Sequence, residues 1–196
     1  MKDEWYLELL LQLLKKDATT YEHSLRVGKL CEIMAGHLNL DEKEAKHLIH
    51  GGYLHDIGKI HIPEDILKKD STLTKEEWKM MQTHALLGSE MMCKYVSIDQ
   101  EILEVIQFHH ERWNGKGYPC GLSQNEIPKL ARICGILDSF DSMVSIRPYC
   151  QSKTFAEAKE ELVLCSGTQF DKEYVDIFIR WSASFEEVYL PQKIHK

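Results

Sequence analysis

Two pairs of adjacent polar residues, His55-Asp56 and His109-His110, each directly follow an apolar segment of the chain. Imidazole nitrogens and carboxylate oxygens are donors that divalent transition metals bind readily. Burying such groups without partners would be costly, and a shared metal centre removes that cost. The residues of this chain that could form such a centre are five histidines and two aspartates: His23, His55, Asp56, His84, His109, His110 and Asp138.

The adjacency of His55 and Asp56 suits them to a site with two metals. A carboxylate has two oxygens and can bridge two cations, while the neighbouring imidazole binds one of them. Two cations roughly 3.5–4 Å apart can convert a bridging water into hydroxide and stabilise an in-line displacement at phosphorus. The pattern indicates a metallohydrolase that acts on a phosphate ester. Taken singly, His23 or His84 would favour a structural interpretation, and it is the doublets that favour ligation.

Helical patterns dominate the elements that must carry these side chains. Residues 5–15 are leucine-rich, and the apolar spacing after Thr20 predicts a second helix. Asp41, followed by a glutamate three residues on as in a capping box, predicts the start of a third helix. That helix would deliver His55 and Asp56 at its C-terminal end.

The second half of the chain continues the helical pattern. A capping box at Thr74 predicts one long helix that carries His84 on its apolar face. The next helix is predicted over residues 98–110 and ends in the histidine doublet. These helices would bring further ligands to the same centre.

Pro128 is placed to open a long helix that runs to about Ser145. Asp138 and Asp141 are three residues apart on this helix and therefore lie on one face. No convincing alternating strand pattern is present. We therefore predict an all-α fold, a single helical bundle with a metal site in its interior.

Composition limits the function classes. With 196 residues, of which 43% are hydrophobic, the chain suits one well-buried domain. The sequence has neither a segment long enough to span a bilayer nor a secretory signal, so we expect a soluble, cytoplasmic protein without a membrane partner. Its six scattered cysteines are expected to be free thiols. A net charge of −7 argues against a long nucleic acid as partner but allows a small phosphate-bearing ligand.

Five segments form an ordered set of motifs: His23-Ser24-Leu25-Arg26-Val27, Leu54-His55-Asp56-Ile57-Gly58-Lys59-Ile60, Leu73-Thr74-Lys75-Glu76-Glu77-Trp78, the stretch from His109 to Pro119 that contains Gly117-Tyr118-Pro119, and Arg147-Pro148-Tyr149. Together they resemble the HD-GYP domain, the branch of the HD phosphohydrolase superfamily associated with hydrolysis of cyclic di-GMP. The resemblance covers roughly residues 20–180. It is specific because the motifs occur jointly and in order.

The resemblance implies a helical bundle of the HD type that binds metal ions and hydrolyses cyclic di-GMP to linear pGpG, and onward to GMP in some members. Some members bind a third metal through a glutamate, but that position is Thr19 here, so two metals are expected. Iron or manganese is the first expectation, with nickel or zinc as alternatives. One metal would be held by His23, His55, Asp56 and Asp138, and the second by Asp56, His84, His109 and His110.

The resemblance also assigns substrate contacts. Lys59 would contact the scissile phosphate or assist departure of the 3′ oxygen, and Arg147 would clamp a phosphate. Lys116 and Tyr118 of the GYP loop are further candidates for substrate binding, although Tyr118 could equally anchor the loop. Two positions depart from the family pattern: Asn114 replaces the usual aspartate before the loop glycine, and Cys150 replaces the usual basic residue after Arg147-Pro148-Tyr149.

Alternatives remain open at this point. The substrate could be another cyclic or linear nucleotide, or the chain could be a weakly active cyclic-dinucleotide receptor that contacts signalling proteins through the GYP loop. We predict an N-terminal helix within residues 1–18 and the catalytic domain over 19–196. That helix would pack on the bundle or form the face of a homodimer.

Overall fold

Side-chain caps set the helix starts in the computed structural model, which describes residues 5–94, 98–145 and 152–189. Asp17, Asp41, Thr74 and Thr154 each accept a hydrogen bond from the backbone N–H three residues on. These bonds satisfy donors that the first helical turn leaves unpaired. The α-helices are α1 (Trp5–Lys16), α2 (Ala18–His37), α3 (Glu42–Leu54), α4 (Glu64–Leu67), α5 (Lys75–Gln82), α6 (His84–Met92), α7 (Gln100–Phe108), α8 (Lys129–Val144), α9 (Phe155–Leu164), α10 (Lys172–Arg180) and α11 (Ser182–Glu186).

Short 3₁₀ helices over Ile57–His61, Gln124–Glu126 and Glu187–Tyr189 complete the described elements. Within those residues the backbone pairs as strands only in two isolated bridges, Asn114 with Ser123 and Ser166 with Phe170. The predicted all-α fold is confirmed.

The helix predicted to run on from Thr74 is wrong in its extent. It is two helices, α5 and α6, which meet at Thr83. The Thr83 hydroxyl donates to the backbone carbonyl of Met80 at 2.6 Å, a bond that competes with the regular helical pattern. His84 is therefore the first residue of α6 and not a mid-helix residue.

Three α-helices of the described chain beyond Ser145, α9, α10 and α11, have no counterpart among the predicted elements. The start of α9 is nevertheless a capping box formed by Thr154 and Glu157, the same arrangement as at Thr74. Phe178 of α10 is fully buried in the main core. The C-terminal helices thus belong to the bundle.

The interior consists of two apolar clusters. The larger joins α2, α3, α8 and α10 around residues such as Leu30 and Phe140. In the smaller cluster, Leu9 and Leu13 of α1 pack with Leu54 beside the candidate metal ligands. α1 therefore packs on the bundle through one face, while the domain division at residue 18 and a dimer role for the other face stay predictions.

Two further sequence expectations concern membrane-spanning helices and the state of the cysteines. In the parts of the chain that the structure describes, no helix combines the length and apolarity needed to cross a membrane. The described cysteines are free thiols: Cys31, Cys93, Cys120, Cys134 and Cys165.

Close packing at Gly58 brings the 3₁₀ helix that follows Asp56 against the start of α6. A Cβ atom built on Gly58 would lie 1.9 Å from the backbone oxygen of His84 and 2.5 Å from the backbone nitrogen of Gly88. Both obstacles are backbone atoms, so neither can move aside as a side chain could. The missing side chain at Gly58 is what lets the backbones carrying Asp56 and His84 approach each other.

We expect Gly58→Ala to lower the free energy of unfolding by about 1–3 kcal/mol, the usual cost of overpacking. Thermal denaturation of the metal-free protein measures it. Gly36→Ala is the matched control, because a Cβ there meets nothing within 4 Å. The control should be neutral or up to about 1 kcal/mol more stable, since alanine is the better helix former. Equal stability of the two variants would contradict this account.

Candidate metal site

Five helices deliver the seven candidate ligands to one interior cluster. His23 comes from α2 and Asp138 from α8, whereas the other five lie at helix ends. His55 caps the end of α3, His84 begins α6, and the His109-His110 doublet follows α7. The side chains are buried except that of His110, which is 28% exposed.

The first group of ligand atoms belongs to His23, His55 and Asp138, whose donor atoms lie within 4.8 Å of one another. His23 Nε2 is 3.0 Å from Asp138 Oδ1 and 3.2 Å from His55 Nε2. Asp56 approaches this group through its Oδ2 atom, at 3.6 Å from His23 Nε2 and 3.4 Å from His55 Nε2. These atoms converge on one point as the ligands of an ion would.

The second group consists of Asp56, His84, His109 and His110, again with donor atoms within 4.8 Å. Here Asp56 uses its other oxygen, because Oδ1 lies 3.3 Å from His84 Nε2. His84 Nε2 is in turn 3.5 Å from His109 Nε2. The two oxygens of Asp56 therefore face two different sets of imidazoles, which is the arrangement a bridging carboxylate requires.

Hydrogen bonds at the outer ring nitrogens fix the orientation of the imidazoles. His55 Nδ1 lies 2.8 Å from the Gly52 carbonyl oxygen, and His84 Nδ1 lies 2.7 Å from that of Met81. His109 Nδ1 makes the same contact with its own helix. Since a carbonyl oxygen can only accept, Nδ1–H donates in each ring, and a neutral ring then points a bare Nε2 lone pair inward.

Those facing lone pairs are the observation that fits a metal. Neither His84 nor His109 has a proton to place between their Nε2 atoms while both are neutral, so the short approach needs a cation to be favourable. Metal-ligating histidines ordinarily donate their outer N–H group to a carbonyl or carboxylate oxygen in this way. The buried clusters can therefore hold metal ions, and the assignment of individual ligands stays a prediction.

The pKa values support the same charge distribution. Burial lowers the pKa of His84 to about 4 and that of His110 to about 3, so both rings are neutral near pH 7. For Asp56, burial raises the pKa, but the nearby charges of Lys59 and His55 outweigh it and hold the pKa well below its usual range. An anionic Asp56 beside the neutral rings of His84 and His110 forms a site that attracts cations.

His23 differs from the other ligands. Burial lowers its pKa, but hydrogen bonds to Asp138 and Asp141 outweigh that effect and raise the pKa to about 8. The position between the two carboxylates therefore favours positive charge, which a proton or a metal ion can supply.

Lys59 and Tyr118 lie beside the cluster. Lys59 Nζ is 2.7 Å from Asp56 Oδ2 and its side chain is 20% exposed. The Tyr118 ring lies over His110 with the ring centroids 4.7 Å apart. Two cavities of about 450 Å³ each open beside the cluster. They share five lining residues: Trp78, His110, Tyr118, Asp138 and Ser142. Lys59 lines the second cavity.

The remaining predicted substrate contacts are less well placed. Lys116 is exposed. It is not among the described residues that line these two cavities. Arg147 and Cys150 lie outside the described residues. Asn114 accepts a hydrogen bond from the Lys116 backbone N–H at 3.1 Å, so the asparagine forms the turn expected at that position.

Glu111 is a functional candidate that the sequence analysis missed. Its Oε1 accepts hydrogen bonds from the backbone N–H groups of Cys120 and Gly121 at 2.6 and 3.0 Å. These bonds hold the far end of the GYP loop, and with it the Tyr118 ring, against the residues that follow α7. The only sequence signal was its position directly after His110.

Comparisons with known proteins bear on this site. A family model described as HD domain matches residues 8–174. A cyclic di-GMP phosphodiesterase from Thermotoga maritima is 39% identical over 189 residues, which cover 95% of this chain and 51% of the relative. A 3′3′-cGAMP-specific phosphodiesterase 2 from Vibrio cholerae is 35% identical over 161 residues, which cover 82% of this chain and 31% of the relative.

Among solved structures, Bd1817 of Bdellovibrio bacteriovorus, described as an HDG"Y"P protein, matches with a TM-score of 0.68 at 22% identity over 82% of this chain and 51% of that one. The chain spans about half the length of the Thermotoga relative and a smaller share of the Vibrio relative. It belongs to the HD-domain family, and its resemblance to HD-GYP domains is confirmed.

Proposed function

We propose that this chain is a metal-dependent phosphodiesterase that hydrolyses cyclic di-GMP to linear pGpG, or onward to GMP. His23, His55, Asp56 and Asp138 would hold one divalent ion, and Asp56, His84, His109 and His110 the other. The proposal is supported by relatives named as cyclic dinucleotide phosphodiesterases and by the geometry of the cluster.

One observation supports the two-metal arrangement most directly. Asp56 presents Oδ2 to His23 and His55 and Oδ1 to His84, and each of these oxygen–nitrogen distances is between 3.3 and 3.6 Å. Lys59 donates to Oδ2 at 2.7 Å, but Oδ1 faces His84 Nε2, and both His84 and His55 donate from Nδ1 to carbonyl oxygens. While His55 and His84 are neutral, their inward nitrogens are acceptors, as is the carboxylate that they face.

The donor set is nitrogen and oxygen only, and such sites take iron, manganese, nickel or zinc according to availability. We propose iron or manganese. When bound, two such ions supply an activated water and neutralise charge on the phosphate.

We propose that the side chain of Lys59 supplies a further catalytic positive charge beside the metal ions. Its ammonium group is held 2.7 Å from Asp56 Oδ2 and faces the second cavity, so a phosphate oxygen that enters there would meet a positive charge. In hydrolysis, water adds to phosphorus and the bond from phosphorus to the 3′ oxygen breaks. An ammonium group preorganised beside the site stabilises the charge that develops on these oxygens.

Asp56→Ala tests the bridging role. Loss of both oxygens should reduce the metal content from about two ions per chain to one or none and bring hydrolysis of cyclic di-GMP to background. Metal analysis and product assays on the same anaerobically purified sample measure both. His47→Gln is the matched control, because His47 is also a buried histidine but pairs with Asp99 at 2.6 Å, outside the cluster.

The control should keep its metal and its activity. Full turnover by Asp56→Ala would rule out the bridging mechanism, whereas loss of metal in His47→Gln would show that metal retention reports only on folding.

Lys59→Met should leave metal content unchanged and lower kcat about 100- to 1000-fold, the usual effect of removing one group that stabilises transition-state charge. Lys29→Met serves as control, since Lys29 is about half exposed on α2 and pairs with Glu32. Steady-state kinetics with metal analysis separates the roles. A parallel fall in metal and rate would mean that Lys59 acts through Asp56.

The relatives leave the choice of cyclic dinucleotide open, since one is named for cyclic di-GMP and another for 3′3′-cGAMP. We propose cyclic di-GMP because the relative named for it is the more similar and aligns with 95% of the chain. Two cavities that meet at His110 and Tyr118 are consistent with a ligand that has two nucleotide halves.

A panel of cyclic di-GMP, 3′3′-cGAMP, cyclic di-AMP and pGpG, assayed with the metal-loaded protein, tests the substrate. We expect the highest kcat/KM for cyclic di-GMP. A higher value for 3′3′-cGAMP would reassign the substrate within the same chemistry. Tight binding of cyclic di-GMP without turnover of any nucleotide would instead support the receptor role.

A further inference from the structure

A second carboxylate, Asp141, lies directly behind the first candidate metal position. Its side chain is completely buried on α8, one helical turn after Asp138. Asp141 Oδ2 is 2.7 Å from His23 Nδ1, the ring nitrogen that faces away from the cluster. The same ring presents Nε2 to Asp138 at 3.0 Å. The orientation of His23 is thus set by one carboxylate on each side.

Several donors hold Asp141 in place. Arg26 Nε donates to Oδ1 at 2.7 Å, and its second guanidinium nitrogen donates to Oδ2 at 3.0 Å, a paired geometry that fixes the plane of the carboxylate. The Ser145 hydroxyl donates to Oδ2 at 3.0 Å. Arg26 lies one turn after His23 on α2, so these contacts tie α2 to α8 at the level of the metal site.

One donor comes from the far end of the described chain. The Tyr189 hydroxyl donates to Asp141 Oδ1 at 2.7 Å, across 48 residues of sequence. Its ring packs against Phe155 and Phe140, with centroid distances of 5.3 and 6.1 Å. The 3₁₀ helix Glu187–Tyr189 is therefore anchored in the core and reaches the candidate site through a single hydroxyl group.

We propose that Asp141 is a positioning residue that orients His23 for the first metal ion, and that Tyr189 couples the C-terminal 3₁₀ helix to this function. The inference rests on the metal site of the proposed function. A carboxylate bonded to the outer nitrogen of a ligating histidine fixes the ring and increases its basicity, and loss of such partners typically weakens metal binding. The competing explanation is that the Arg26–Asp141 pair only stabilises the packing of α2 on α8.

Metal affinity separates these explanations where activity alone would not. We would titrate the full chain with Mn²⁺ against a competing chelator, and record thermal denaturation of the metal-free protein in parallel. Asp141→Asn should weaken one of two Mn²⁺ sites about 10- to 100-fold and leave the other unchanged. Tyr189→Phe removes only the hydroxyl and should weaken the same site about two- to tenfold, the loss of one hydrogen bond.

Tyr174→Phe is the matched control. Tyr174 is a buried tyrosine of α10, and Asp141 keeps all of its donors in that variant. It should bind both Mn²⁺ ions as the wild type does. If Asp141→Asn fails to fold, Tyr189→Phe decides the proposal by itself: weaker Mn²⁺ binding supports it, and unchanged binding overturns it.

Unchanged Mn²⁺ affinity in Tyr189→Phe, with a lowered melting temperature of the metal-free protein, would overturn the coupling and leave a structural role. Unchanged affinity in a folded Asp141→Asn would overturn the positioning role as well. A wild type that binds neither Mn²⁺ nor, under anaerobic conditions, Fe²⁺ would refute the metal site itself and the inference with it, an outcome distinct from failure of the variants alone.

Discussion

One constraint governs the surrounding structure: the buried carboxylate of Asp56 faces two sets of imidazoles at once, one set with each oxygen. Burial alone would protonate such a group, yet Lys59 and the neighbouring rings keep its pKa low. Convergent acceptors repel one another unless a cation lies between them. The bundle must therefore be stable enough to hold these acceptors close together, and the two apolar clusters supply that stability.

The position of most candidate ligands at helix ends fixes the orientation of their rings. At the end of a helix, backbone carbonyls lack intrahelical partners, and the Nδ1–H groups of His55 and His109 donate to carbonyls three residues earlier. The ring orientation is thereby set by local backbone and needs no distant partner. His23 lies within α2, where no such carbonyl is free, and its outer nitrogen instead bonds to the side chain of Asp141. A histidine in the middle of a helix therefore needs a separate acceptor for its outer nitrogen, and Asp141 is that acceptor for His23.

Much of this could be predicted from sequence because it is local. The doublet at His55 and the capping residues Asp41 and Thr74 can each be recognised from a few neighbouring residues. The break at Thr83 is also local, but the apolar periodicity of the segment continues through it and conceals it. The proposed role of Asp141 was visible in the sequence only in part, as a residue on the same helix face as Asp138.

Contacts between distant segments could not be predicted in this way. Asp141 and His23 are 118 residues apart, and nothing in the spacing of either indicates the other. The bond from Tyr189 is of the same kind, since a tyrosine near a chain end has many structural uses. Such contacts depend on how helices pack, which is decided by side-chain shape across the whole core. Candidate ligands can therefore be predicted from residue type, because few kinds of side chain bind such metals well. A supporting group can be any side chain that reaches the outer ring nitrogen, so its residue type alone does not reveal it.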